Sequence, residues 1–186
     1  EIEYLVNHLN ERGAKISGGG TSTIIIEGVD HLRGGETTII PDRIETGTFA
    51  ILAAATRSPL TITNCRPDHL EALLAIFTKL GIVMERGDDY LKIISVPKIL
   101  PAYSLKTHEY PGFPTDLQSP FTVLMTQADG TSLIHETIYD RRLLFTDMLT
   151  QMGANITMCD PHRVVIQGPT PLRGRSLTSP DLRAGI

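Results

Sequence analysis

Tryptophan is absent, and five tyrosines and five phenylalanines supply all the aromatic rings of the 186 residues. Basic residues never run longer than the pair Arg141 and Arg142, and the formal net charge is −4. A phosphate-backbone groove needs clustered cations and a base-stacking platform needs rings, so nucleic acid is set aside as a partner. Cysteine occurs twice, as Cys65 and Cys159, in no CxxC or Cys/His cluster. That argues against a disulfide framework or a zinc site and for a reducing, cytoplasmic setting. No apolar run approaches the roughly 20 residues that span a bilayer, and no charged-then-apolar signal segment opens the chain, so no membrane role is expected. The six histidines show no metal-ligand spacing, and there is no Walker loop, nucleophile elbow or dinucleotide fingerprint. What is present is an ordinary apolar share, 41%, enough for one full domain with a buried core or for two small lobes. The first residue is not Met and already lies inside a helical pattern, which reads as a piece of a longer protein.

Three stretches superimpose without a gap: GAKISGGGTSTIII from Gly13, GIVMERGDDYLKII from Gly81 and GANITMCDPHRVVI from Gly153. Their spacing is about 70 residues. In each, the glycine follows a helical period, an apolar residue stands three places later (Ile16, Met84, Ile156), and an apolar run closes at Ile26, Ile94 and Ile166. That spells helix, strand, turn, strand, with the glycine ending the helix in a left-handed conformation. Leu5, Leu73 and Phe145 share one repeat position and Leu9, Phe77 and Leu149 the one four later, so one helix face is expected to be buried three times. β-branched segments at 60–63 and 132–135 precede the second and third copies. Before each comes a helical run, 44–57 and 117–129, rich in Ala, Leu, Val and Met and suited to the middle of a domain. The predicted architecture is α/β, or α+β, built of repeated helix-strand-helix-strand-strand units. The unit opening at Asp181 has only LRAGI, about a turn of helix, and is truncated. Residues 1–26 hold the helix-strand-strand half it lacks and are a candidate to complete a three-unit domain by packing there.

Candidate chemistry gathers at helix starts. YPGFPTDLQSPF, residues 110–121, sets Asp116 between an aromatic-proline approach and an apolar stretch. Thr115 with Gln118 has capping-box spacing, as do Asp42 with Glu45 and Asp68 with Glu71, and Pro180 after Ser179 suits a first helical position. Orphan N–H groups and the helix dipole favour an acid in a first turn, so Asp116 reads as a cap or as a proton acceptor, and both readings stay open. It is not a copied cap, because the overlay of the central helices sets it opposite Ile44. A helix start also stabilises a carboxylate's charge and weakens it as a base, so anionic substrate groups nearby would have to push the other way. Arg141 and Arg142 fall at the predicted helix start of ETIYDRRLLF, where the dipole disfavours cations. They read as a solvated pair or as guanidinium recognition of phosphate or carboxylate. Arg43 and Arg183 stand beside Asp42 and Asp181 and are equally intrahelical or surface partners of those acids. SGGGTST from Ser17 joins two strands and is read as a flexible hairpin, and His108 as a surface histidine near the 110–121 stretch.

PDRIETGTF (41–49), FPTDLQSPF (113–121), ETIYDRRLLFTDMLTQMGA (136–154) and SPDLRA (179–184) together resemble the UDP-N-acetylglucosamine 1-carboxyvinyltransferase family of enolpyruvyl transferases, in order and over nearly the whole chain. PDRIETGTF and FPTD carry the specificity. The ET…R…L…MGA pattern is shared with the 3-phosphoshikimate 1-carboxyvinyltransferases, which stand as an alternative, beside a non-catalytic repeat-built binding module. The resemblance implies an inverse α/β barrel of two lobes, each of three copies of the unit, with the active site between them. Residues 1–40 would end the first lobe and 41–186 form most of the second. It further implies transfer of enolpyruvyl from phosphoenolpyruvate to the 3-hydroxyl of UDP-N-acetylglucosamine with release of phosphate, the first committed step of peptidoglycan and cell-wall synthesis, with no metal or organic cofactor. By motif, Asp116 matches the carboxylate at the sugar hydroxyl, Thr115 its neighbour on the sugar, and Ile138 a backbone contact to the nucleotide sugar. Arg142 matches the cleft arginine, and Asp181 and Arg183 the acid and arginine near the enolpyruvyl site. Asp42 and Glu45 match a domain-crossing segment with structural roles. The family's N-terminal Lys-Asn pair, its mobile loop with a reactive cysteine and an arginine, and a further phosphate-binding arginine have no counterpart. The polypeptide is therefore expected to be inactive without the rest of the parent chain.

Overall fold

A computed structural model describes residues 1–179 and shows two compact units, Glu1–Pro41 and the chain from Asp42 onward. In the first, α1 (Ile2–Glu11) leads to β1 (Lys15–Ser17) and β2 (Ile25–Glu27), paired antiparallel with Ile16 opposite Ile26. Gly13, at φ +98°, makes the left-handed exit that a side chain would resist. Asn10 ties helix to strand, its amide donating to Ile16 O at 2.7 Å and its oxygen accepting from Ile16 N at 2.8 Å. The segment 18–24 is the expected hairpin turn, with Thr21 N on Gly18 O at 3.0 Å. The buried face does not recur here as expected. Val6 is the buried residue of α1 while Leu5 is 49% exposed, because a two-stranded sheet is too small to cover a helix face.

From Asp42 the repeat is plain. α2 (Arg43–Thr56), β3 (Leu60–Thr63), α3 (Glu71–Lys79), β4 (Val83–Arg86) and β5 (Tyr90–Ser95) make one copy, its antiparallel sheet ordered β3-β5-β4. After β6 (Leu105–Lys106), the elements α4 (Gln118–Met125), β7 (Gly130–His135), α5 (Thr146–Gln151), β8 (Asn155–Asp160) and β9 (Arg163–Gly168) make the next. Its sheet runs β6-β7-β9-β8, with β6 parallel to β7 and the other pairs antiparallel. The helix-strand-helix-strand-strand order thus holds twice. The two-residue β6 has no signal in the sequence and owes its pairing to β7. Gly81 and Gly153, at φ +75° and +105°, end α3 and α5 as predicted.

α2 and α4 pack against each other at the centre of this unit, as their low charge suggests. Ala50, Ile51, Ala54, Leu117, Phe121 and Leu124 are all buried there. Gly47 lets the two come close: a Cβ on it would lie 2.5 Å from Leu117 Cδ1. In the repeat copies, Leu73 and Phe77 are fully buried and Phe145 and Leu149 nearly so, so the predicted face is buried twice.

The helix starts divide. Asp42 caps α2 as expected, its Oδ1 accepting from Ile44 N at 2.7 Å and Glu45 N at 3.3 Å. Asp68 does not cap α3. It lies inside the 3₁₀ turn Pro67–Leu70 and pairs with Arg66 at 3.1 Å. Thr115 does not cap α4 either, since Thr115–Leu117 is itself a 3₁₀ turn and the Thr115 hydroxyl points elsewhere. α5 starts five residues later than expected. Arg141 takes a left-handed φ of +61° and residues 141–145 are turns, so Arg141 and Arg142 precede the helix. Among the described residues, no helix is long and apolar enough to cross a membrane. Cys65 is buried and Cys159 exposed, both as free thiols.

Candidate active site

The 110–121 stretch is anchored from both sides. Phe113 is buried edge-on against Phe121 with centroids 5.4 Å apart, and its carbonyl accepts from His108 N at 2.9 Å. Pro114 is extended, and the chain then closes into the 3₁₀ turn with Leu117 fully buried. With Phe113 and Leu117 pointing inward, Thr115 and Asp116 between them are left half-buried. Asp116 therefore sits on a rigid turn with its side chain 29% exposed.

Arg142 reaches it from the loop after β7. Its Nη2 lies 2.5 Å from Asp116 Oδ1, its Nη1 donates to Thr115 Oγ1 at 3.1 Å, and its Cζ stands 5.1 Å from the centre of the Tyr139 ring. The guanidinium is buried, 7% exposed. A cation can be buried this way because two oxygens and an aromatic face replace its water. The neighbouring Arg141 is exposed, so the two arginines that the sequence left as one pair have different fates.

Thr115 donates its own hydrogen bond to Glu136, Oγ1 to Oε2 at 2.7 Å. Glu136 Oε1 accepts from Ile138 N at 2.8 Å, Thr107 Oγ1 at 3.1 Å and Tyr139 N at 3.3 Å. Thr107 in turn accepts from Thr137 N at 2.9 Å. Thr115, Asp116, Ile138 and Arg142, four of the residues singled out in the sequence, thus meet in one hydrogen-bonded cluster. Asp181 and Arg183 lie outside the described residues. Glu136, Thr107 and Tyr139 were missed as members. For Glu136 a signal existed: in SLIHE the alternation that buries Ser132 and Ile134 puts Glu136 on the same face, and an acid on an apolar face needs partners.

Other candidates stand apart. His108 is exposed with Nδ1 3.2 Å from Glu109. Arg43 stacks over Tyr110 at 5.4 Å. A cavity of about 100 Å³ opens between these two residues and Pro114, well below the roughly 300–1,000 Å³ of a small-molecule site. Among the described residues, no three His, Cys, Asp or Glu side chains converge as a metal site would require. The cluster therefore offers a reachable carboxylate and a buried guanidinium, a pair suited to accepting a proton beside a bound anion.

The family described as EPSP synthase (3-phosphoshikimate 1-carboxyvinyltransferase) matches residues 1–186. The chain belongs to this family. Among its relatives, a UDP-N-acetylglucosamine 1-carboxyvinyltransferase of Halothermothrix orenii is 47% identical over 185 residues, covering 100% of this chain and 44% of the relative. A UDP-N-acetylglucosamine 1-carboxyvinyltransferase 2 of Bacillus subtilis is 46% identical, covering 100% and 43%. The crystal structure of the enolpyruvyl transferase NikO from Streptomyces tendae superimposes with a TM-score of 0.85 at 27% identity, covering 97% of this chain and 43% of that one. The family's enolpyruvyl transferase fold is thus that of this chain, which spans less than half the length of the relatives it matches.

Proposed function

We propose that the whole protein transfers the enolpyruvyl group of phosphoenolpyruvate to the 3-hydroxyl of UDP-N-acetylglucosamine, releasing phosphate; the relatives' names, UDP-N-acetylglucosamine 1-carboxyvinyltransferase, support the acceptor and the group transferred. The observation that carries this reading is the half-exposed Asp116 on a rigid turn, 2.5 Å from the buried Arg142. Asp116 takes the hydroxyl proton as the sugar oxygen bonds to C2 of phosphoenolpyruvate and C3 gains a proton. The tetrahedral adduct then collapses: C3 gives up a proton, the electron pair of that C–H bond forms the C2–C3 double bond, the bond from C2 to the phosphate oxygen breaks, and phosphate leaves with that electron pair. An anionic group of a substrate shares the Arg142 guanidinium and frees Asp116 Oδ1 to face the hydroxyl.

Thr115 contacts the sugar beside Asp116. The Ile138 N–H is already given to Glu136, so its contact with the nucleotide sugar falls to the carbonyl. Asp181 and Arg183 serve the enolpyruvyl end. We assign residues 1–40 to the end of the first lobe and 41–186 to most of the second, a division within one residue of that between the two compact units. A cytoplasmic setting is in keeping with two free thiols. The 3-phosphoshikimate reaction is the second reading, favoured by the description of the matching family, whereas the similar relatives named above favour the nucleotide sugar.

Phosphate release from the full-length protein, with each acceptor in turn, tests both readings. UDP-N-acetylglucosamine should support turnover and 3-phosphoshikimate should not. Asp116→Asn should lower kcat by about 10²- to 10⁴-fold while nucleotide-sugar binding weakens far less. Wild-type turnover in that variant would refute the base. The 186-residue chain alone should give no turnover.

A further inference from the structure

We propose that Glu136 is a positioning residue for this reaction: by holding the Thr115 proton it aims Arg142 at Asp116. The inference rests on the reading that Asp116 and Arg142 face the substrates. Glu136 is 0% exposed and so meets no substrate itself. A hydroxyl has one proton to give, and Thr115 gives it to Glu136 Oε2 at 2.7 Å. The lone pairs of the same oxygen are thereby turned to Arg142 Nη1, 3.1 Å away. The guanidinium is a planar fork, so seating one arm directs the other, and Nη2 falls on Asp116 Oδ1 at 2.5 Å. The sequence of groups is carboxylate, hydroxyl, guanidinium, carboxylate, with every donor facing an acceptor.

The second oxygen of Glu136 extends the same control to the loop. It accepts from the N–H groups of Ile138 and Tyr139, and the Tyr139 ring lies against the Arg142 guanidinium. One buried carboxylate therefore sets the hydroxyl that seats Arg142 and the backbone that carries it. The Ile138 carbonyl, left for the nucleotide sugar, is aligned by the same bonds.

The test uses the full-length protein, steady-state kinetics with both substrates, and thermal unfolding of each variant. Glu136→Gln keeps the shape. Its oxygen stays with the three donors on the Oε1 side, which leaves an NH₂ facing Thr115 where an acceptor is required. Thr115→Val removes the hydroxyl and takes that partner from Glu136 Oε2 and Arg142 Nη1, and Thr115→Ser keeps it. Glu136→Gln and Thr115→Val should each lower kcat between about 10- and 100-fold. The KM for UDP-N-acetylglucosamine should rise less than about threefold. Thr115→Ser should recover most of the loss. The double variant should be no slower than the slower single one, because both changes cut the same link.

A folded Glu136→Gln variant with wild-type kcat overturns the proposal. So does Thr115→Ser as slow as Thr115→Val, or a double variant whose losses multiply. If Glu136→Gln fails to fold, Glu136→Asp, which keeps the carboxylate but draws it one methylene back from Thr115, decides in its place: wild-type kcat in it overturns the proposal. Asp116→Asn, assayed alongside, separates the two levels. Wild-type turnover in it removes the underlying reading, whereas a slow Asp116→Asn with fast Glu136→Gln and Thr115→Val removes only the positioning role.

Discussion

The loop between β3 and α3 and the loop between β7 and α5 occupy the same place in two copies of one unit, yet it is the second that joins a buried carboxylate to a buried guanidinium through Thr115. The repeat overlay sets Asn64 opposite Glu136 and Leu70 opposite Arg142. Asn64 is exposed at a left-handed φ of +55° and turns the chain at once, whereas Glu136 continues inward on the buried face of β7. Leu70 is buried in the apolar core, and Arg142 is buried at the equivalent position beside Asp116 and Thr115. The copies differ, then, by a polar core built into a position that the scaffold otherwise fills with leucine. A buried guanidinium is tolerated there only because its acceptors come with it. α5 also starts later, at Thr146, because Arg141 takes the left-handed φ of +61° and breaks the helical run before it.

The comparison is most sharply broken by making the third copy resemble the second. Arg142→Leu should leave the fold intact, as Leu70 does in its copy, and lower turnover of the full-length protein by about 10²- to 10³-fold. Thermal unfolding and phosphate release measured on one sample check this, and a variant that cannot fold would show that the two positions are not interchangeable. Next in size is stability. Glu136→Ala strands four donors and should cost about 3–5 kcal/mol in urea unfolding. Asn64→Ala, at the matching position, should cost only about 1–2 kcal/mol, for its left-handed backbone. Equal losses would dissolve the contrast. The smallest effect separates the two thiols. Burial pushes the Cys65 thiol up, so less of it is thiolate at any working pH, and Cys159 is exposed. A thiol reagent at pH 8 should label Cys159 in the native protein and Cys65 only after unfolding, read by mass spectrometry.

Periodicity and punctuation made much of the fold legible in the sequence. The glycines at 13, 81 and 153, the strand at 60–63 and the apolar central helices follow from rules that act within a few residues. The cap of α2 by Asp42 was legible for the same reason. The site was half legible. Asp116 and Arg142 stood out as charges in odd places, but Thr115 had the spacing of a capping box and instead donates to Glu136, a partner 21 residues away. Leu5 had the pattern of a buried residue and is exposed, because burial depends on how much sheet covers a face.

The amino-acid order by itself determined the repeated unit, the glycine-marked C-terminal ends of α1, α3 and α5 and which residues bear charge, since each depends on local backbone preference and on the period of apolar side chains. Only the tertiary structure decided that Glu136 lies beneath Thr115, that Arg142 and not Arg141 turns inward, and that β6 pairs with β7. Those outcomes come from burying polar groups that lie far apart along the chain. A buried charge must find its partners wherever the folded backbone places them, and no local rule states where that will be.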